Sequence, residues 1–152
     1  MRVWRLARRV HASLDGAGAR RAGGRWNSPG RPVVYTSRHL SLAALELLVH
    51  VDSDTLPSDL TAFAIDVPDA LPRQQIDPDV LAANWREQPA VTRAIGDAWL
   101  TEAAVPVLVV PSVLGPNEEN VLLNPLHAAC RAARVVTAGP FRFDARLLGA
   151  LR

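Results

Sequence analysis

One carboxylate constrains this chain more than any other residue. Glu46 stands inside Leu42-Ala43-Ala44-Leu45-Glu46-Leu47-Leu48-Val49, an otherwise apolar run. If residues 39–51 form one helix, the neighbours three and four positions from Glu46 are Leu42, Ala43, Val49 and His50, so the acid projects from a mostly apolar face. No Lys or Arg lies on that face to neutralise it. A carboxylate held among apolar groups costs roughly several kcal/mol unless it is paired, so a chain that keeps one there needs a reason, and a substrate is one. The plain alternative is a solvent-facing Glu46 at a helix bend.

The segments around this helix read as a mixed domain. Residues 2–8 suit a first strand, Asp15 to Gly24 a Gly- and Arg-rich loop with little structure of its own, and Arg25-Trp26-Asn27 a short extended piece. Pro32 to Ser37 reads as a buried strand that turns directly into the helix of 39–51, a common place for ligand sites. Residues 52–60 are turn-rich, and 60–67 alternate as a strand ending at Pro68. Asp77-Pro78 has the form of an N-cap followed by a first-turn proline and predicts a helix to about Glu87; Pro89 opens another to about Glu102. Residues 105–110 form an apolar strand stopped by Pro111-Ser112, and the loop 115–120 leads into Val121-Leu122-Leu123. Asn124-Pro125 caps a short helix reaching Ala133, residues 134–137 and 141–143 supply closing strands, and 144–151 a last helical turn.

Helices do not alternate one for one with strands, which disfavours a doubly wound parallel sheet. With 152 residues, 49% of them hydrophobic, and no repeat or linker, the expectation is a single compact α+β domain over 1–152, with mixed, largely antiparallel sheets and flanking helices. The longest apolar run, Val105 to Val110 with Pro106 inside it, is of strand length, and the first residues hold no apolar stretch of secretion-signal length. A cytoplasmic protein without membrane association is expected.

Composition removes several chemistries. All 17 basic residues are arginine, so no Schiff-base or P-loop lysine exists. The lone Cys130 forms no internal disulfide and begins no zinc cluster. His11, His39, His50 and His127 lack the spacing of a metal site, and His50-Val51-Asp52-Ser53-Asp54 reads as a cap or turn, so no metal is expected. Gly16-Ala17-Gly18-Ala19-Arg20-Arg21 has an arginine where a dinucleotide fingerprint needs its third glycine. Ser112 follows Pro111 rather than standing in a Gly-x-Ser-x-Gly elbow.

Charge is lopsided: residues 1–38 hold nine Arg against one Asp, while the remainder holds eight Arg against fourteen acids. The N-terminal quarter therefore calls for an anion, whether nucleotide phosphates, a nucleic-acid backbone or the acidic part of the same chain. No helix-turn-helix, zinc finger or stacking platform accompanies the arginines, so direct nucleic-acid binding is not expected; a non-catalytic basic module is the competing reading from another class. Trp4, Trp26, Trp85 and Trp99 suit core or interface positions, although Trp26, beside Arg25, is placed to wall a pocket.

The order Gly24-Arg25-Trp26-Asn27, Tyr35, Glu46, then Pro111-Ser112 and Asn120-x-x-x-Asn124-Pro125-x-His127 resembles the RES domain family, named for its Arg, Glu and Ser. The resemblance runs through most of the chain and leaves residues 16–24 unaligned. It implies an ADP-ribosyltransferase-like fold and a toxin of a toxin–antitoxin system that cleaves the nicotinamide–ribose bond of NAD, as glycohydrolase or phosphorylase. NAD is then a substrate, and no cofactor is implied. It implies an Xre-type antitoxin as partner and a homodimer, with ADP-ribosyl transfer to a protein as the alternative activity. Arg25, Tyr35 and Glu46 become the catalytic trio, with Arg5, Gly24, Trp26, Ser37, Ser112 and Asn124 joining Arg25 and Tyr35 in binding NAD.

The chemistry makes sense from the residues upward. Nicotinamide in NAD is already cationic and leaves without being protonated, so one carboxylate near the ribose suffices where a glycoside hydrolase needs two. On this reading Tyr35 stacks against the nicotinamide ring, and Arg25 with its fork of donors takes the diphosphate. Each has a plainer alternative: Tyr35 as a core aromatic, Arg25 as a surface ion-pair partner, Ser112 as a strand-end cap.

Overall fold

In a computed structural model that describes residues 1–51 and 56–149, seven strands form one sheet in the order β4-β5-β6-β2-β1-β3-β7. The strands are β1 (Arg2–Arg8), β2 (Val34–Ser37), β3 (Leu60–Asp66), β4 (Arg73–Gln75), β5 (Val107–Pro111), β6 (Glu119–Leu123) and β7 (Arg134–Pro140). All pairings are antiparallel except β4 with β5. This is the expected α+β domain with a mixed, largely antiparallel sheet.

The middle of the sheet is covered on both faces, and the sequence of β5 reflects it. All five residues of Val107–Pro111 are buried, a continuous apolar run rather than an alternating one. Alternate side chains then serve separate cores. Val107 and Val109 pack with Val121, Leu123, Val3 and Ile65, while Leu108 and Val110 pack with Leu122, Trp26, Trp85 and Trp99 on the other side. Each fully buried Val or Leu contributes roughly 1.5–3 kcal/mol. Three of the tryptophans are thus core, as expected.

Helix α2 (Leu40–Leu48) lies against β1 and β2, burying Leu42 and Ala43. Glu46 shares that face, three and four residues on. The predicted helix is present, slightly shorter than 39–51, and its last carbonyls are met by the Val49 N–H and by His50, whose Nδ1 is 2.7 Å from the Glu46 carbonyl. Helix α3 (Pro89–Glu102) begins at its proline and ends at Ala103 in left-handed conformation, as its sequence predicts for the span 89–102.

Elsewhere the structure corrects the sequence reading. The segment expected to be an unstructured loop contains helix α1 (Ala17–Ala22), whose glycines are punctuation: Gly16 and Gly23 both take positive φ at its ends, and a Cβ on Gly16 would come 2.6 Å from the Val33 nitrogen. In place of one helix over 78–87 there are two 3-10 turns, Pro78–Val80 and Trp85–Glu87, because Leu81 is extended and Trp85 turns inward. Asp77 does cap the first, accepting from the Asp79 N–H.

Strand β4 was not expected at all; its three residues are exposed and polar. Asn124 does not cap the helix after β6. A 3-10 turn, Ala128–Ala132, is capped instead by His127 Nδ1, which accepts from the Ala129 N–H. The two closing strands are one, β7, running to Pro140; Phe141 and Phe143 instead stack edge to face and pack on the Leu6 and Leu60 cluster. Helix α4 spans Ala145–Gly149. Part of the predicted turn at 52–60, the acids of His50–Asp54, and residues 150–151 of the terminal helical turn lie outside the described residues.

Candidate active site

The register of three central strands gathers the polar residues. Ser37 of β2 pairs with Asn120 of β6, which pairs with Val110 of β5, and Tyr35 stands two residues before Ser37 on the same face. Ser112 follows the end of β5. Above this floor α2 stands on one side and residues 24–27 on the other, enclosing a cleft of about 880 Å³ lined by Arg5, Arg25, Tyr35, Glu46 and Asn120 among others. That volume falls within the range of small-molecule sites.

Glu46 is partly buried and forms no salt bridge among the described residues. Its compensation comes from neutral donors. Asn120 Nδ2 donates to Oε1 at 2.6 Å and Ser112 Oγ donates to the same oxygen at 3.0 Å, while Oε2 accepts no hydrogen bond from the described residues. Ser112 is itself fixed, since its Oγ accepts from the Leu114 N–H. It is therefore more than a strand-end cap.

The opposite wall is a tight turn. Gly24 and Asn27 form an isolated bridge, and a Cβ on Gly24 would lie 2.6 Å from the Tyr35 hydroxyl, so only glycine fits there. The Tyr35 hydroxyl accepts from the Trp26 N–H at 3.0 Å and donates to Asn27 Oδ1 at 2.8 Å. Asn27, fully buried, spends its amide on the carbonyls of Ala19, Ser28 and Arg31. Helix α3 closes the back: Thr92 Oγ1 donates to the Arg25 carbonyl, Arg93 Nε to the Gly24 carbonyl, and Gly96 admits the Trp26 carbonyl where a Cβ would overlap it.

Arg25 points its Nη1 at the Arg86 carbonyl, 3.0 Å away, and among the described residues it pairs with no acid. It is not the surface ion-pair partner of the plainer alternative. Arg5 donates to the Ser13 carbonyl, and burial pulls its guanidinium below the usual arginine range, with Asp15 opposing. Four other arginines of the first 38 residues are matched with acids: Arg2 with Asp66, Arg8 with Asp59, Arg31 with Asp97 and Arg38 with Glu119. Much of the lopsided charge is thus settled within the chain, and the cleft keeps cations that are not.

Burial pushes the Tyr35 phenol up to about 12, so it remains a neutral donor and acceptor. Its hydroxyl is committed to the turn, while its ring borders the cleft. Trp26 also borders the cleft but is only 2% exposed and packs against Trp85, which leaves little of it for a ligand. Ser37 is buried, with Oγ donating to Asn120 Oδ1 at 2.7 Å. Asn124 is not brought to the cleft. Its Oδ1 accepts from the Leu126 N–H in a turn, and His127 caps the turn after it.

The structure therefore gathers Arg5, Gly24, Arg25, Tyr35, Ser37, Glu46 and Ser112, admits only the edge of Trp26, and leaves out Asn124. The residue that sequence reasoning passed over is Asn120. It stood in the quoted motif four residues before Asn124, but only strand register reveals which of the two asparagines faces Glu46. Among the described residues no cluster of His, Cys, Asp or Glu suits a metal, and no helix is long and apolar enough to cross a membrane.

Comparison with known proteins agrees with the motif order. Residues 2–144 match the model of the RES domain. The chain is 35% identical over 149 residues to the Toxin Res of Pseudomonas putida, covering 97% of this chain and 99% of that protein. It is 33% identical over 153 residues to the Prs ADP-ribosylating toxin of a Sphingobium species, covering 95% of each. Among solved structures, a chain in the crystal structure of the M. tuberculosis MbcT–MbcA toxin–antitoxin complex superposes with a TM-score of 0.71 over 99% of this chain and 88% of that one. At 19% identity that likeness speaks to the fold alone.

Proposed function

The chain belongs to the RES domain family, and from that premise we propose that it is the toxin of a toxin–antitoxin pair and consumes NAD by cleaving its nicotinamide–ribose bond. One observation carries the chemistry: a carboxylate supported on one oxygen only faces a cleft that also holds two arginines matched to no acid among the described residues.

The reaction asks for little more. As the C1′–N bond breaks, its electron pair goes to the nicotinamide nitrogen, which becomes neutral, and positive charge grows on the ribose. Glu46 stabilises that charge electrostatically, with Oε2 available to the sugar. The low polarity around α2 strengthens the effect, since fewer waters screen it. Arg5 and Arg25 hold the diphosphate, Arg25 through its planar fork. The Tyr35 ring lies beside the nicotinamide, while its hydroxyl keeps the arginine turn in place. The acceptor is water, which gives ADP-ribose and a proton, or phosphate, which bonds to the ribose carbon that nicotinamide leaves and gives a phosphorylated ADP-ribose. No cofactor takes part.

Transfer of ADP-ribose to a protein is the second reading, supported by the name of the Sphingobium relative. The basic-module reading loses support from the four arginines that pair within the chain. The partner is an antitoxin, which we place in the Xre-like class; the active form is a cytoplasmic homodimer.

The test is incubation of purified protein with NAD, with and without phosphate, followed by identification of products. Loss of NAD with release of nicotinamide is expected, and Glu46→Gln is expected to lower it at least about 100-fold. Intact NAD in the presence of folded wild-type protein would overturn the proposal. ADP-ribose found by mass spectrometry on co-expressed proteins, in place of free product, would favour the second reading.

A further inference from the structure

The floor of the cleft contains a short relay that the reading of Glu46 does not by itself require. Ser37 Oγ lies 2.7 Å from Asn120 Oδ1, and Asn120 Nδ2 lies 2.6 Å from Glu46 Oε1, so one side-chain amide spans from strand β2 to helix α2. The orientation of that amide follows from chemistry. An ionised carboxylate only accepts hydrogen bonds, so the nitrogen must face Glu46, and the oxygen is left to accept from Ser37, whose hydroxyl can donate.

The backbone at both ends is fixed by the sheet, since Ser37 and Asn120 are register partners and Asn120 is paired on its other side with Val110. Glu46, by contrast, reaches the cleft on a flexible side chain from a helix that buries only Leu42 and Ala43. Ser112 offers the second donor, but to the same oxygen.

We infer that Asn120 is a positioning residue, the group that sets the rotamer of Glu46 and turns Oε2 toward the ligand. This deepens the proposed NAD cleavage and rests on it. Two donors on Oε1 and none on Oε2 from the described residues make the carboxylate asymmetric. A carboxylate free to rotate would offer either oxygen in turn and lose alignment with the ribose; misplacement by about 1 Å can cost about 100-fold in rate. Ser37 acts one bond further back, by keeping the amide from flipping.

The substitutions are Asn120→Ala, Asn120→Asp and Ser37→Ala, each checked for cooperative thermal unfolding, with NAD turnover resolved into kcat and KM. Asn120→Ala is expected to lose about 10- to 100-fold in kcat with KM changed less than about threefold. Asn120→Asp keeps the shape and the bond from Ser37 but replaces the donor by an acceptor. A space-filling role would tolerate it; the positioning role predicts a loss at least as large as for alanine. Ser37→Ala should fall between wild type and Asn120→Ala.

A readout without turnover separates the two levels of the proposal. Crystal structures of wild type and Asn120→Ala are expected to show the Glu46 carboxylate displaced or split between rotamers in the variant only. If wild type consumes NAD while Asn120→Ala and Asn120→Asp match its kcat, the positioning role is overturned and the proposed function stands. Should wild type leave NAD intact, the function falls. The placement of Glu46 by Asn120 is then decided by the crystal structures, and an unmoved carboxylate overturns it.

Discussion

The two walls of the cleft are held by different means. The turn carrying Arg25 is fixed through its backbone: the Gly24 and Arg25 carbonyls and the Trp26 and Ser28 N–H groups are all engaged by side chains, and three of those four partners, Thr92, Arg93 and Asp97, come from α3. The wall carrying Glu46 is a helix that buries Leu42 and Ala43 and packs Ala44 and Leu47 against the Leu6 and Leu60 cluster, with the functional group secured only at its tip. The arginine wall is therefore held through its backbone by α3, whereas the carboxylate of the glutamate wall is held by two side-chain donors. The densely anchored backbone lies on one side of the cavity and the lone carboxylate on the other.

That contrast can be broken by experiment. The largest stability effect is expected at Gly96, which lies outside the cleft. A methyl there would meet the Trp26 carbonyl at 1.8 Å, so Gly96→Ala must push α3 away from the turn; overpacking of this kind costs about 1–3 kcal/mol, and calorimetry should place this variant at the upper end. NAD turnover should fall with it through misplacement of Arg25.

Next in size is the response to alkali. Burial raises the Tyr35 phenol to about 12 in the folded protein from about 10, so its stabilising contribution is complete below about pH 10 and is lost as pH rises toward 12, at up to about 1.4 kcal/mol per pH unit. Cys130, pushed up to about 11 by burial, adds its own loss from about pH 9, so the phenol is best read in a Cys130→Ser background. The chain has one tyrosine, and phenolate absorbance reports it directly. Ionisation near 10 in the folded state would mean that the turn is loosely closed.

Tyr35→Phe removes the partner of the Trp26 N–H and one partner of Asn27, and should cost about 1–2 kcal/mol in denaturant unfolding while abolishing the tyrosine part of the alkaline response. The smallest stability change belongs to Glu46→Gln. The amide oxygen still accepts from Asn120 and Ser112, so unfolding should move by less than about 0.5 kcal/mol although turnover collapses. A strongly destabilised Glu46→Gln, or a tolerant Gly96→Ala, would erase the distinction between the walls.

How much of this was legible in the sequence follows the same division. Glu46 was visible because an acid in an apolar helix violates a local pattern, and Arg25, Tyr35 and Ser112 because they stand in order with it. The strands β5 and β6 announce themselves by apolar runs, and β3 by alternation. What escaped is what depends on distant segments meeting. Helix α1 hid behind its flanking glycines, whose meaning lies in φ angles and in the approach of Val33 to Gly16. Gly96 looks like a weak point in a helix until the Trp26 carbonyl is seen against it. Asn120 and Asn124 are indistinguishable on paper, and strand register alone sends one to the cleft and the other into a turn.

The strand order has a consequence during synthesis. Glu46, Arg25 and Tyr35 all leave the ribosome early, yet the strand that seats beside β2 and carries Asn120 is β6, made some eighty residues later. Until it emerges, β2 lacks a neighbour on that side and the acid lacks its Asn120 donor. A chain ended before β6 thus lacks the amide that joins β2 to Glu46, and the floor of the cleft is complete only once that late strand has been made.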